Sequence, residues 1–94
     1  MKIVFIGSVE LSAKILQKLF EINANVVGVI TKESSLINSD FRDLKPIATM
    51  IGIPSIYANN INTEEIFFWI KELKPDILMC FGWSNLIKKK ILTV

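Results

Sequence analysis

Short apolar segments alternate with amphipathic ones along this chain, and the alternation predicts strands separated by helices. Residues 2–6 and 26–31 are apolar runs of strand length. Between them, apolar residues recur at spacings of three and four, which predicts an amphipathic helix with Ser8 as its cap. The residues expected to face the core from this helix are Leu11, Ile15, Leu16, Leu19 and Phe20. Because the connections are short, the two strands are expected to pair in parallel through a right-handed crossover.

The middle of the chain predicts a loop, a short helix and an edge strand. Residues 32–45 are polar and irregular, which indicates a loop above the sheet. Asp40 or Asp43 is expected to cap the next helix, with Pro46 in its first turn. The apolar positions of that helix are Ile47, Ala48, Met50 and Ile51. Residues 53–57 contain a proline and are therefore expected to form an edge strand.

The last third predicts another helix and then a buried strand. Asn62 or Thr63 is expected to cap the helix, and a proline to end it. Its inward positions are Ile66, Phe67, Trp69, Ile70 and Leu73. Residues 77–81 are an uninterrupted apolar run too short for a helix, which favours a strand buried on both faces. A last short helix is expected to open at Ser84 or Asn85.

These elements predict an α/β fold. The expected architecture is a Rossmann-like three-layer sandwich with a four-stranded parallel sheet in the order 3-2-1-4, formed by residues 1–94 as one domain. In that order the fourth strand lies at an edge of the sheet. Its unpaired N–H and C=O groups are expected to promote self-association.

Composition narrows the functions that suit the chain. Its formal net charge is +2, with 11 basic and 9 acidic residues, and this balance does not favour nucleic-acid binding. No apolar run reaches the ~18 residues of a membrane span, and the pattern of a signal peptide is absent, so the cytoplasm is expected. With no His and one Cys, no complete acid–base or metal site is visible. Cys80 is expected to be a buried hydrophobic residue rather than a nucleophile.

The turn after the first strand, Gly7-Ser8, has two interpretations. In one, N–H groups at the start of the following helix bind an anionic part of a substrate. In the other, the turn only caps the helix. Residues 7–12 read G-S-V-E-L-S, so the G-x-G-x-x-G fingerprint is missing and a nicotinamide dinucleotide is not expected.

The segment Phe81-Gly82-Trp83 is the stronger candidate for ligand binding. It follows the fourth strand, and ligands of open α/β sheets bind at the carboxyl ends of the strands. Gly82 lets the backbone approach a ligand, and Trp83 offers a flat apolar surface. The plainer interpretation is that these aromatic residues only close the core.

Several short motifs occur in a recognisable order along the chain. They are residues 1–7, 26–31, 52–54 and 73–76, followed by Leu86-Ile87 before Ile91-Leu92. In this order and spacing the chain resembles the formyltransferases that use 10-formyltetrahydrofolate, a family that includes methionyl-tRNA formyltransferases and sugar-nucleotide N-formyltransferases.

The loop before the second helix is more similar to the sugar-modifying branch of that family. The residues that carry this likeness are Asn38, Ser39, Asp40, Phe41, Asp43, Leu44 and Pro46. The tRNA branch usually has a longer, basic loop here, whereas this chain has Glu33, Ser34 and Ser35, which offer a tRNA phosphate few cations.

The resemblance implies a function and a binding site. The chain is expected to be the N-terminal portion of a catalytic domain that moves a formyl group from 10-formyltetrahydrofolate to the amine of a small-molecule amino sugar nucleotide. The residues implied in folate binding are Phe81, Gly82, Trp83, Ser84, Leu86 and Ile87. The family's catalytic Asn, His and Asp lie beyond the motif at Ile91-Leu92, so this chain is expected to be inactive by itself. The alternatives are a methionyl-tRNA formyltransferase fragment and a non-catalytic Rossmann-like binding module.

Overall fold

The computed structural model describes residues 1–34 and 40–81, and these form a parallel sheet with helices on both faces. The elements in chain order are β1 (Ile3–Gly7), α1 (Glu10–Glu21), β2 (Val26–Thr31), α2 (Lys45–Met50), β3 (Ser55–Tyr57), α3 (Glu64–Leu73) and β4 (Ile77–Phe81). The helix expected from Ser84 or Asn85, like the loop residues Asn38 and Ser39, lies outside the described residues.

The four strands are parallel and lie in the order β3-β2-β1-β4, which confirms the predicted topology. β1 is central, pairing with β2 on one side and with β4 on the other. Its register with β4 runs from Ile3 opposite Ile77 to Gly7 opposite Phe81. Because all the strands point the same way, their carboxyl ends meet at one edge of the sheet.

Two apolar layers separate the sheet from its helices, so the three-layer architecture is confirmed. The layer under α1 and α2 contains Phe5, Leu16, Val29, Leu44 and Ala48, all fully buried. The layer under α3 contains Val4, Ile6, Ile30, Ile66 and Ile70. Alternate residues of β1 enter opposite layers, and this explains why the strand is an unbroken apolar run.

The first helix differs from the prediction in its cap and in its buried face. Its N-cap is Val9, not Ser8, and the Val9 N–H donates to Ser12 Oγ at 3.4 Å. Ser12 and Ala13 are buried with Leu16, whereas Leu11 and Phe20 are 60% and 51% exposed. The small side chains at positions 12 and 13 let the helix approach the sheet closely, so this face is buried in preference to the bulkier one.

The second helix has no side-chain cap, contrary to the expectation for Asp40 or Asp43. Leu44 is the N-cap and has a helical conformation, while the Asp43 carboxylate accepts the Lys45 N–H at 2.8 Å, one residue into the helix. Ile47 and Ala48 are buried as predicted, but Met50 is 85% exposed. The helix has only six residues, so a single face reaches the core.

The edge strand β3 and the third helix match their predictions well. Thr63 caps α3 by accepting the Ile66 N–H at 3.3 Å. The helix ends at Leu73 because Lys74 adopts a left-handed conformation with φ of 51°. The next residue is Pro75, the proline that was expected to end the helix. α3 lies very close to β2, since a Cβ on Gly28 would stand 2.6 Å from a Leu73 methyl carbon and 2.8 Å from the Trp69 ring.

The fourth strand has the predicted bounds but not the predicted burial. Ile77 and Phe81 are 37% and 36% exposed, because β4 pairs with β1 alone among the described residues. Cys80, expected to be buried, is also exposed. Partial burial of its sulfur nevertheless raises the pKa of Cys80, so the neutral thiol predominates at neutral pH. Self-association through this edge stays a prediction.

Within residues 1–34 and 40–81, no helix is both long enough and apolar enough to cross a membrane.

Candidate functional site

The candidate site is the edge of the sheet where the four strands end. β1, β2, β3 and β4 finish at Gly7, Thr31, Tyr57 and Phe81. Ligands of open α/β sheets bind beyond this edge, next to the point where consecutive strands diverge. Here that point lies between β1 and β4, because the chain proceeds from β1 through β2 to β3 on one side and then returns to β4 on the other.

Phe81 is held at this edge by three kinds of contact. Its backbone pairs with β1 opposite Gly7. Its ring stacks on the buried ring of Phe5, with centroids 5.8 Å apart and an angle of 22° between the planes. Its carbonyl oxygen accepts a hydrogen bond from Ser12 Oγ at 2.6 Å. Phe81 therefore has a fixed position although about a third of its surface is open to solvent.

Gly7 leaves room for the contact between α1 and β4. A Cβ at this position would lie 2.6 Å from both Cβ and Oγ of Ser12 and 2.8 Å from the Phe81 carbonyl oxygen. Such distances are well inside van der Waals contact, so any side chain larger than hydrogen would displace Ser12 or β4. We call Gly7, Ser12 and Phe81 the β4 end of the edge.

Sequence reasoning missed Ser12. Ser12 is polar, whereas the buried face of this helix was predicted from large apolar residues. Its hydrogen-bond partner, Phe81, lies 69 residues further along the chain. The available signal was local: a small polar residue five positions after a strand-ending glycine, on a helix face otherwise made of Ala13 and Leu16.

The turn at Gly7 and Ser8 packs against the returning loop. The Ser8 carbonyl accepts the Arg42 N–H at 2.8 Å, and the Glu10 N–H donates to the Asp40 carbonyl at 3.0 Å. The N–H groups of residues 9 and 10 are thus used within the protein, which favours the structural interpretation of this turn. A substrate contact by Gly7 or Ser8 stays a prediction.

A second cluster lies at the end of β3, and we call it the β3 end of the edge. The Tyr57 hydroxyl donates to Asp43 Oδ2 at 2.7 Å, and Lys45 Nζ lies 4.6 Å from the centre of the Tyr57 ring. The hydrogen bond to Asp43, partial burial and the repulsion of a phenolate by this carboxylate raise the pKa of Tyr57 to about 12. Tyr57 therefore keeps its proton at neutral pH and orients Asp43.

No group of three or more His, Cys, Asp or Glu within residues 1–34 and 40–81 is arranged to hold a metal ion. Of the residues implied in folate binding, Phe81 lies at the edge as predicted. The others, Gly82, Trp83, Ser84, Leu86 and Ile87, lie outside the described residues.

A separate groove of about 460 Å³ is lined by residues of α1, of α2 and of the segments next to α2. Its lining residues are Gln17, Phe20, Glu21, Arg42, Pro46, Ile47, Met50 and Ile51. It accounts for the exposed side chains of Phe20 and Met50, which line it instead of entering the core.

Comparison with known proteins supplies what the geometry alone does not. No protein-family model matches the chain. A methionyl-tRNA formyltransferase of Kosmotoga olearia is 35% identical over 97% of this chain and 30% of its own length. The enzyme of the same name from Finegoldia magna is 36% identical over 97% of the chain and 31% of its own length. That of Thermotoga neapolitana is 28% identical over the whole chain. The chain thus spans about a third of the length of these relatives.

These relatives correct the predicted partner. They are named for methionyl-tRNA, so the expectation of a small-molecule amino sugar nucleotide, with nucleic acid disfavoured, is wrong. That expectation depended on the composition of one loop and on a near-neutral net charge. Loops vary more than the elements that they join, and similarity over the whole chain outweighs them. The similarity supports a place for this chain in the formyltransferase family and gives no support to the sugar-nucleotide branch.

Proposed function

We propose that this chain is the part of a methionyl-tRNA formyltransferase that binds the formyl donor, and that it acts in the cytoplasm. The observation that carries the proposal is the similarity to such enzymes over 97% of the chain at 35% and 36% identity. The fold is consistent with it, since the exposed Phe81 lies at the carboxyl edge, where this architecture binds ligands.

The proposed donor is 10-formyltetrahydrofolate, which methionyl-tRNA formyltransferases use. We assign its pterin ring to the segment Phe81-Gly82-Trp83-Ser84, with Leu86 and Ile87 as further contacts. An aromatic ring fixed against Phe5 supplies one apolar wall for such a ring system. Because Gly82 has no side chain, we expect its backbone to offer a donor and an acceptor to the edge of the pterin.

The reaction defines what the chain can and cannot contribute. The amine of methionine, esterified to tRNA, attacks the formyl carbon, and a tetrahedral intermediate carries the negative charge on the formyl oxygen. The bond from this carbon to N10 of the folate then breaks, N10 gains a proton and the amine loses one. This chain has no His to move these protons, and within residues 1–34 and 40–81 no group of three or more His, Cys, Asp or Glu is arranged to hold a metal ion that could replace one. Its contribution is to hold the donor.

Donor binding by the 94-residue chain tests the proposal. Titration calorimetry with 5-formyltetrahydrofolate, a stable isomer of the donor, is expected to give saturable binding. In a parallel assay with labelled 10-formyltetrahydrofolate and methionyl-tRNA, the chain alone is expected to give no turnover. Absence of folate binding in a folded sample would contradict the proposed function.

The two tryptophans of the chain offer a matched pair for locating the ring. Trp83→Ala should weaken folate binding by roughly five- to a hundredfold, the effect of losing one apolar wall, and leave the melting temperature nearly unchanged. Trp69→Phe, on α3 against Gly28, should lower the melting temperature and leave the folate affinity intact. The reverse pattern would show that Trp83 is a core residue.

A further inference from the structure

Ser12 makes a contact that the proposed function does not yet use. It is fully buried on α1, and its hydroxyl donates to the Phe81 carbonyl at 2.6 Å, across 69 residues of chain. The same oxygen accepts the Val9 N–H at 3.4 Å. One hydroxyl group thus joins the start of α1 to the last residue of β4.

The surrounding residues are arranged around this hydrogen bond. Gly7 lies directly opposite Phe81 in the sheet, and the space that its missing Cβ leaves is filled by the side chain of Ser12. Were Gly7 any other residue, its Cβ would lie within 3 Å of both partners of the hydrogen bond. A strand end needs no such contact for its own pairing, because β4 is already hydrogen-bonded along β1.

The carbonyl of a strand's last residue has a particular importance at this edge. It is the final backbone group set by the sheet, so its direction determines where the chain goes next. After Phe81 the chain continues into the segment to which we assign the pterin ring. Without the hydrogen bond from Ser12, the Phe81 carbonyl would be free to change its direction.

We propose that Ser12 is a positioning residue for the formyl donor: through its hydrogen bond to the Phe81 carbonyl it holds Phe81, one wall of the proposed folate site, in place at the carboxyl edge. This inference rests on the proposed function. Ser12 touches no donor atom itself. Gly7 serves the same purpose by leaving space for the Ser12 side chain, which gives the first strand-to-helix turn a role other than anion binding.

The test compares two variants that each remove one buried hydroxyl group. Ser12→Ala removes the hydrogen bond to Phe81. Thr31→Val removes the bond that Thr31 Oγ1 accepts from the Leu44 N–H at 3.1 Å, at the end of β2. Both variants should lower the melting temperature of the 94-residue chain by similar amounts. Only Ser12→Ala should also weaken 5-formyltetrahydrofolate binding, by roughly five- to tenfold, as expected for one lost hydrogen bond.

The carbonyl carbon of Phe81 gives a readout that needs no ligand. In a chain labelled with ¹³C at phenylalanine carbonyls, the Phe81 resonance should shift in Ser12→Ala and stay in place in Thr31→Val. If Ser12→Ala does not fold, Ser12→Cys keeps the size of the side chain but has a weaker donor, and its effects should be smaller in the same direction.

The possible results distinguish failure of the positioning role of Ser12 from failure of the proposed function. Full folate affinity in a folded Ser12 variant whose Phe81 resonance has shifted would overturn the positioning role and leave the proposed function intact. Equal losses of affinity in Ser12→Ala and Thr31→Val would also overturn it, as a general loss of stability would then be sufficient. No binding by the unaltered chain would overturn the proposed function, and the inference with it.

Discussion

The β4 end and the β3 end of the sheet's carboxyl edge are held by different kinds of contact. At the β4 end, Gly7, Ser12 and Phe81 meet through a buried hydroxyl, stacked rings and close backbone packing. At the β3 end, Asp43, Lys45 and Tyr57 meet through a carboxylate, a phenol and an ammonium group. The first end depends on shape and the second on charge, so they should respond to different perturbations.

The largest effect is expected from filling the space at Gly7. Gly7→Ala places a methyl group against Ser12 and the backbone of β4, and we expect it to lower the free energy of unfolding by about 3 kcal/mol. Gly28→Ala is the matched control. Its Cβ would meet only side-chain atoms of Leu73 and Trp69, which can move, so we expect about 1 kcal/mol.

Urea unfolding followed by far-ultraviolet circular dichroism measures both changes. Equal losses in the two variants would mean that the backbone of β4 yields as easily as a flexible side chain, and close backbone packing would then not explain how the β4 end is held.

A change in pH should affect the β3 end selectively. The hydrogen bond to Asp43, partial burial and the charges of Asp43 and Glu33 together raise the pKa of Tyr57 from 10.0 to about 12, so the unfolded chain loses the tyrosine proton first as pH rises. The stabilisation is therefore complete below pH 10 and is lost between pH 10 and about 12. In Tyr57→Phe, the melting temperature should fall less steeply across this interval than in the unaltered chain.

The ionisation of Tyr57 can also be followed directly, since it is the chain's single tyrosine. Absorbance near 295 nm should give a midpoint near 12 in the unaltered chain, and Asp43→Asn should move it back towards 10.0. Asp40→Asn provides the control, because Asp40 accepts the Glu10 N–H through its backbone carbonyl, which the substitution keeps. An unchanged midpoint in Asp43→Asn would remove the charge-based explanation of the β3 end.

The smallest effect is expected at the ion pair between Arg42 Nη1 and Glu10 Oε2, which are 3.2 Å apart. Both side chains are about half exposed, so Arg42→Gln should cost about 0.5 kcal/mol or less, and 1 M salt should remove the difference. A larger loss that persists in salt would indicate that Arg42 holds the returning loop through its packing.

The sequence predicted the sheet well because its strands are continuous apolar runs with sharp ends. β2 and β4 have the predicted bounds, and the strand order follows from the preferred hand of the crossovers. The cap of α1 and the exposure of Leu11 and Phe20 could not be read in the same way. Helical spacing alone did not reveal that the small residues Ser12 and Ala13 would face the sheet.

The site was less predictable because it is assembled from distant parts of the chain. Phe81 could be placed at the carboxyl edge from its strand alone, but its bond to Ser12 depends on a contact between the first helix and the last described strand. The choice of substrate failed for another reason. It used the composition of the loop before α2, and loop composition varies too freely to distinguish two branches of one family.

The central position of β1 has a consequence for how the protein folds. β1 pairs with the nearby β2, whereas its pairing with β4 joins distant parts of the chain. Next to that pairing, the Lys2 N–H donates to the Asp76 carboxylate at 2.7 Å across a separation of 74 residues. Contacts of such long sequence separation form late, because a large loop must close first. We therefore expect the hydrogen bond between Ser12 and Phe81 to be among the last to form during folding.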